Sequence, residues 1–348
     1  MAAKVVVSGE SAGGAFQPIR ARLEAAGCEL LSVPASAPGD PEGWTPALID
    51  QYFRQADAFI GMFASRPITK EVLQAAERLR VGVSPVIGTE HIDVAAATEL
   101  GIVIGYGAVP ENLEGVAEAV VMLIAGLLKR LPQKWAAVHD GGWRVDDPGR
   151  MVRDTTVGFI GLGNIGRASA RRLVGWDVSI LSYDPYVTTE AGRELGVEMV
   201  GLEELLGRSD VVSIMVPLTD ETRHLLGADE LRRMKRGAYL VNTSRGACVD
   251  EAALVEALRS GHLAGAAIDV WEQEPTVAGN PLRTMPNVIA TGHNVGHSQE
   301  VMRTIPGAAV ENVLRGLRGE PPLYVRNPDV LPAWRERLRA LGVPAAGA

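Results

Sequence analysis

A chain of 348 residues, 47% hydrophobic and 22% charged, is long enough for two buried cores and too apolar to stay disordered. Its net charge of −8 gives no support for binding nucleic acid or an anionic membrane surface, although one buried arginine can still hold a small anion. Two distant cysteines, Cys28 and Cys248, and an N-terminus "MAAKVVVSGE" without an apolar signal core point to a reducing, cytoplasmic setting.

In chain order, "KVVVSG" reads as a short buried strand and "FQPIRARLEAAG" as a helix stopped at Gly27. "DAFIGMF", "LRVGVS" and "GIVIGY" are further short strands, separated by helix-like stretches such as "TKEVLQAAERL". This alternation predicts a parallel α/β sheet over residues 1 to about 105. "PENLEGVAEAVVMLIAGLLKRLPQKWAAV" predicts one long helix with Pro110 and Glu111 near its start, too apolar to lie alone on a surface and expected to pack between domains or subunits. Its run "VAEAVVMLIAGLL", interrupted by Glu118, is too short to span a bilayer.

After the loop "HDGGWRVDDPGR", a second α/β unit opens with "TTVGFIGLGNIGRASARRL". Its later strands are "WDVSILSYDPY", "DVVSIMVPL", "AYLVNTS", "AGAAIDV" and "NVIATG", spaced by helices at 201–208, 229–235 and 250–260. A helix over roughly 298–317, the turn-rich "PPLYVRNPDVLP" and a short amphipathic "AWRERLRALG" complete the chain.

"GLGNIG" follows the strand "VGFI" and opens a helix, the context a dinucleotide fingerprint requires. Gly161 allows the tight turn, Gly163 lets backbone approach a pyrophosphate, and Gly166 lets helix and strand pack closely. The next strand ends in Asp184, where a carboxylate would bind the adenine ribose diol and repel the 2′-phosphate of NADP. The competing reading is an ordinary glycine turn with a capping aspartate.

"TGHNVGHS" places His293 and His297 four apart, one face of a helix if the stretch is helical. Asn294 stands where a metalloprotease needs glutamate, and no third ligand falls at a metal spacing, so no metal is expected. His91, His139, His224 and His262 lie in polar contexts and read as surface or hinge residues; Cys248 reads as a small packing residue.

Together "GLGNIGR", "YDP", "VPLTDETRHLL", "NTSRGACVDEAALVEAL", "IDVWEQEP" and "TGHNVGHS" resemble the D-isomer-specific 2-hydroxyacid dehydrogenase family, over about residues 79–315 and more weakly before. The resemblance implies two Rossmann-like domains, a central NAD-binding domain (107–294) inserted in a flavodoxin-like substrate domain (1–106 and 295–348), an active site in the cleft between them, and a homodimer. It makes Arg245 the residue that binds the substrate carboxylate and polarises the keto oxygen, chemistry that suits a planar guanidinium; a surface arginine paired with Asp250 or Glu251 is the alternative. Glu274 and His293 become a carboxylate–histidine pair, the imidazole giving and taking the proton while the carboxylate fixes its tautomer. Asp269 would anchor the nicotinamide carboxamide of NAD, with Asn164, Ile165, Pro217, Thr222 and Thr243 as further cofactor contacts and Val86, Ile87 and Gly88 as substrate contacts.

The chain departs from the family pattern at "SPVIGTEHID", where backbone N–H groups usually hold the carboxylate: Pro85 has none to give and Val86 stands where a smaller residue is common. Phosphite-oxidising relatives carry lysine where Ile87 stands, and formate-oxidising relatives carry glutamine where Glu274 stands. Phosphoglycerate-oxidising relatives often carry arginine where Phe63 stands, with Arg66 near; Met62 and Phe63 hint at an apolar pocket wall or at plain core packing. His297 reads as a helix-start side chain at the domain junction, or as a substrate contact. The leading expectation is an NAD-dependent oxidoreductase acting on a D-2-hydroxy acid/2-oxo acid pair, without nucleic-acid or membrane partners; the alternative is an NAD(H)-binding regulatory protein of corepressor type on the same scaffold.

Overall fold

A computed structural model of the chain describes residues 2–8, 17–33, 43–61, 66–146 and 148–344. Met62 and Phe63 lie outside the described residues. The backbone divides into two compact units, Met1–Asn112 with Ser298–Ala348, and Leu113–His297.

The first unit begins with β1 (Lys4–Ser8), α1 (Gln17–Ala25), β2 (Glu29–Ser32), α2 (Pro46–Tyr52), β3 (Ala58–Gly61), α3 (Lys70–Ala75), β4 (Val81–Val83), α4 (Val94–Glu99) and β5 (Val103–Gly105). The strands are parallel in the order β2-β1-β3-β4-β5, the flavodoxin-like arrangement. Val5 and Val7 enter one core and Val6 the other, so β1 is buried on both faces, which is why it reads as an unbroken apolar run.

Next come α5 (Pro110–Leu128) and α6 (Leu131–His139), then β6 (Thr156–Ile160), α7 (Asn164–Leu173), β7 (Ser179–Tyr183), α8 (Thr189–Arg193), β8 (Val197–Met199), α9 (Leu202–Arg208), β9 (Val211–Ile214), α10 (Ala228–Arg233), β10 (Tyr239–Asn242), α11 (Glu251–Arg259), β11 (Gly265–Ile268) and β12 (Val288–Ala290). The seven strands are ordered β12-β11-β10-β9-β6-β7-β8, the doubly wound dinucleotide-binding order extended by one edge strand. The strand order reverses at β6, which has β7 on one side and β9 on the other. The chain then returns to the first unit as α12 (Gln299–Leu317) and α13 (Leu331–Ala340). There α12 packs on α1, β3, β4 and β5, and the buried Trp334 of α13 donates its indole N–H to Arg80 O at 2.8 Å.

Two sequence expectations need correction. The single helix expected after Pro110 is two helices: Pro132 has no N–H to give Leu128 O and its ring would clash there, so α5 ends at Leu128 and Arg130 turns left-handed at φ 53°. Leu128 O accepts from Arg150 N at 2.7 Å instead. One apolar face of α5 lies inside its own unit, where Val120, Leu123, Ile124, Leu127 and Leu128 enter the core beneath β6 and β7, while Met122 is exposed. His91 is not a surface residue; it is buried, with Nε2 3.0 Å from Gly61 O. Burial lowers its pKa, so the ring stays neutral there. Strands β2 and β8 went unread because each is a short sheet edge, partly wet and without a continuous apolar run.

Candidate active site

Every candidate catalytic or cofactor-binding residue of the second unit lies on the segment that follows the C-terminal end of a parallel strand, or in the first turn of α7, which follows β6. Ligands bind at that rim in open α/β sheets, where the strand order reverses. Past β6, Gly161 has φ 102°, and a Cβ there would also come 2.9 Å from Met215 O. A Cβ on Gly166 would come 2.6 Å from Gly161 O, so this position holds the helix against the turn. Gly163 differs: a Cβ there would meet nothing within 4 Å, so no packing within the chain demands glycine. It caps α7 without a side-chain hydrogen bond, which leaves the helix N-terminus with exposed Asn164 and half-buried Ile165 open to an anion. These are the features a pyrophosphate needs.

Asp184, just past β7, accepts from Leu162 N at 2.8 Å through Oδ2 and from Tyr186 N at 2.9 Å through Oδ1. It thus ties the glycine turn to the second strand, with carboxylate lone pairs remaining for diol hydroxyls. Past β9, Thr222 Oγ1 donates to Pro217 O at 2.7 Å and closes the turn that carries both residues.

Past β10, the buried Asn242 shapes the turn carrying Thr243 and Arg245: its Oδ1 accepts from Ser244 N at 3.1 Å and its Nδ2 donates to Arg245 O at 3.0 Å. The half-buried Arg245 donates from Nη1 to Ser244 O at 2.5 Å. Asp250 is engaged with Ala253 N, and Glu251 with Glu272 N and Asn280. Gly246 is required by close approach: a Cβ there would sit 1.9 Å from Trp271 C. That contact sets the Arg245 turn directly on the segment that leads to Glu274.

Glu274 Oε1 accepts from Trp271 N at 3.0 Å, and Oε2 lies 2.7 Å from His293 Nδ1. Burial alone would raise its carboxyl. The bonds from His293 and Trp271 N, with the positive charges of His293 and Arg245 nearby, hold it below its ordinary value. An ionised carboxylate only accepts, so Nδ1 of His293 is the protonated nitrogen. His293 itself has φ 55°, and the stretch 291–298 is not helical, so the four-residue spacing does not place His293 and His297 on one helix face. His297 is exposed, its N–H donating to Asn294 O at 3.0 Å.

Asp269, buried past β11, accepts through Oδ1 from Thr291 Oγ1 at 2.6 Å, Asn294 N at 3.0 Å and Val295 N at 3.1 Å. The sequence reading passed over Asn242, Gly246, Trp271 and Thr291. Only Asn242 had a local signal, an Asx turn with Ser two positions on. Among the described residues no group of three or more His, Cys, Asp or Glu is placed to hold a metal ion, and no helix is long and apolar enough to cross a membrane.

In the first unit, Ser84 Oγ donates to Gly88 O at 2.6 Å and Gly107 N to Val86 O at 2.9 Å, folding the loop of Val86, Ile87 and Gly88 past β4. Pro85 is buried within it.

A doubly wound sheet with this glycine turn, an aspartate past the second strand and a carboxylate–histidine pair at the same rim defines a dinucleotide-dependent oxidoreductase. The model of the D-isomer specific 2-hydroxyacid dehydrogenase NAD-binding domain matches residues 121–295, and the chain belongs to that family. It is 40% identical to a glyoxylate reductase of Korarchaeum cryptofilum over 82% of this chain and 86% of that one. It is 35% identical to a D-3-phosphoglycerate dehydrogenase of Methanocaldococcus jannaschii over 83% of this chain and 55% of that longer one. An NAD-dependent formate dehydrogenase from Staphylococcus aureus in complex with NAD superimposes with a TM-score of 0.77 at 31% identity, over 91% of this chain and 96% of that one. The chain is an NAD-dependent 2-hydroxyacid dehydrogenase.

Proposed function

We propose that the chain interconverts a small 2-oxo acid and its D-2-hydroxy acid, with His293 as acid and base, Glu274 as its anchor and Arg245 binding the carboxylate. The observation that carries this is the 2.7 Å bond between His293 Nδ1 and a Glu274 carboxylate that also feels Arg245. With Nδ1 committed to Glu274, the proton in transit is the one on Nε2. The hydride for the carbonyl carbon would come from NADH when it is bound. His293 delivers its Nε2 proton to the oxygen, and Arg245 offers the carboxylate paired charge-assisted hydrogen bonds. Asp269 would hold the nicotinamide carboxamide, its Oδ1 being engaged with Thr291 Oγ1 and the N–H groups of Asn294 and Val295. The nucleotide contacts are Gly161, Gly163, Asn164, Ile165, Gly166, Asp184, Pro217, Thr222 and Thr243; Val86, Ile87 and Gly88 contact substrate.

Glyoxylate is the first substrate to test, in keeping with the 40% identical relative of that name. Oxidation of NADH and NADPH is measured with glyoxylate, hydroxypyruvate, pyruvate, phenylpyruvate and branched-chain oxo acids. NADH-dependent turnover of at least one is expected, and Asp184→Ala should narrow the preference for NADH. Silence across the panel with NADH bound would favour a nucleotide-sensing regulator.

The proposal includes a homodimer. Leu131, Trp135 and Val138 recur at i, i+4 and i+7 on α6, which buries no residue, and all three are more than half exposed, as are Met122 and Trp143. A stripe of this size is costly in water and fits a second copy. Light scattering should give twice the chain mass, and Trp135→Asp should shift it toward the monomer; a wild-type monomer at micromolar concentration would refute the dimer.

A further inference from the structure

We infer that Thr291 is a positioning residue for the reaction, working with Asp269 to hold His293 in the backbone conformation that aims its ring. The inference rests on the acid–base reading of His293 above.

Among the described residues, His293 is one of five non-glycine residues with positive φ, at 55°, a region ordinary side chains disfavour. It persists only where its surroundings impose it. Here they do so through one residue: Asp269 O accepts from His293 N at 2.6 Å, and Asp269 Oδ1 accepts from Asn294 N and Val295 N at 3.0 and 3.1 Å. Bonds from residues 293, 294 and 295 thus converge on a single buried aspartate, and the turn can close only if that carboxylate keeps its orientation.

Thr291 sets that orientation. Its Oγ1 donates to the same Oδ1 at 2.6 Å, and its backbone is pinned at both ends, N–H to Ile268 O at 3.0 Å and O to the Trp271 indole N–H at 2.9 Å. The second anchor continues to the ring itself, because Trp271 N donates to Glu274 and Glu274 holds His293 Nδ1. Thr291 is therefore where the restraint on the His293 backbone meets the restraint on its imidazole. Without the hydroxyl, Oδ1 loses its shortest partner and the carboxylate gains freedom about χ2, loosening the turn while the strands stay intact.

Thr291→Val removes the hydroxyl at nearly constant volume and Thr291→Ser keeps it. With the best oxo acid of the panel, Thr291→Val should lower kcat about 10- to 100-fold, the scale of a small misplacement of a catalytic group. The thermal midpoint should stay near wild type. The pH profile of kcat should change shape, because the ring no longer keeps its fixed bond to the Glu274 carboxylate, and Thr291→Ser should restore both rate and profile. Wild-type kcat and profile in Thr291→Val would overturn the inference, as would a Ser variant as slow as Val, which would mean that the methyl group matters and not the hydroxyl. His293→Ala run alongside separates the two levels: a dead His293→Ala beside a normal Thr291→Val sinks the positioning role alone. An active His293→Ala sinks the reading of His293 and this inference with it.

Discussion

His293→Ala is expected to lose about 10²- to 10⁴-fold in kcat for 2-oxo acid reduction, the range a positioned general acid supplies, while NADH still binds with near wild-type affinity. Binding should survive because, in the proposed site, the glycine turn, Asp184 and the α7 N-terminus would hold the nucleotide without the imidazole. Glu274→Gln should fall between wild type and His293→Ala, because an amide offers Oε1 as an acceptor but carries no charge. The Glu274 carboxyl is held below its ordinary value, so it stays ionised as pH falls to about 4.3, the usual glutamate figure, and pairs with His293 across the neutral range. Titration of NADH fluorescence together with steady-state kinetics checks both halves. Tight NADH binding with unaltered turnover in His293→Ala would remove the histidine from the chemistry.

Asp57→Ala is expected to destabilise the first unit by about 3 kcal/mol at neutral pH, near the lower end for breaking a buried ion pair. Asp57 is 2% exposed, takes Arg80 Nη2 and Arg78 Nη2 on Oδ1 at 2.9 Å each, and accepts Lys4 N on Oδ2 at 2.9 Å. Arg80 is 14% exposed and would lose its counter-charge, keeping only Leu317 O as a partner for Nη1, whereas Arg78 at 55% is wet enough to matter little. Burial raises the Asp57 carboxyl, but the Lys4 N–H and the two guanidiniums outweigh it and leave it lowered. A lowered folded-state pKa gives stability that is fully present above the unfolded aspartate value of about 3.9 and is lost as pH falls through the folded value. The gap between wild type and Asp57→Ala should therefore be constant near neutrality and close in acid. Urea unfolding followed from pH 7 downward measures it; a gap that widens in acid would show that Asp57 does not act as a paired anion.

Three spaced glycines after an apolar run and the aspartate past the next strand were legible from local marks, whereas Arg245, Glu274 and His293 stood out through the resemblance of their motifs to a family. What makes them a site is not local. Gly246 looks like any loop glycine until Trp271 is found 1.9 Å from where its Cβ would be, and Thr291 looks like a spacer until Asp269 receives its hydroxyl. His91, polar in its sequence neighbours, is buried beside Gly61, thirty residues earlier.

The chain by itself determined the alternation of buried strands and helices and the glycine turn after β6, because periodicity and backbone restriction act over a few residues. Pro132 belongs with these: its missing N–H and the clash of its ring end α5. Tertiary structure alone decided the strand order, the edges β2 and β8, the Asp57–Arg80 pair and the Asp269 clamp on His293. Parallel strands pair through the same backbone hydrogen bonds whatever their side chains, so which strands become neighbours is settled by how two cores close over both faces of each sheet. Only then do residues 269 and 291, or 57 and 80, come within reach of each other.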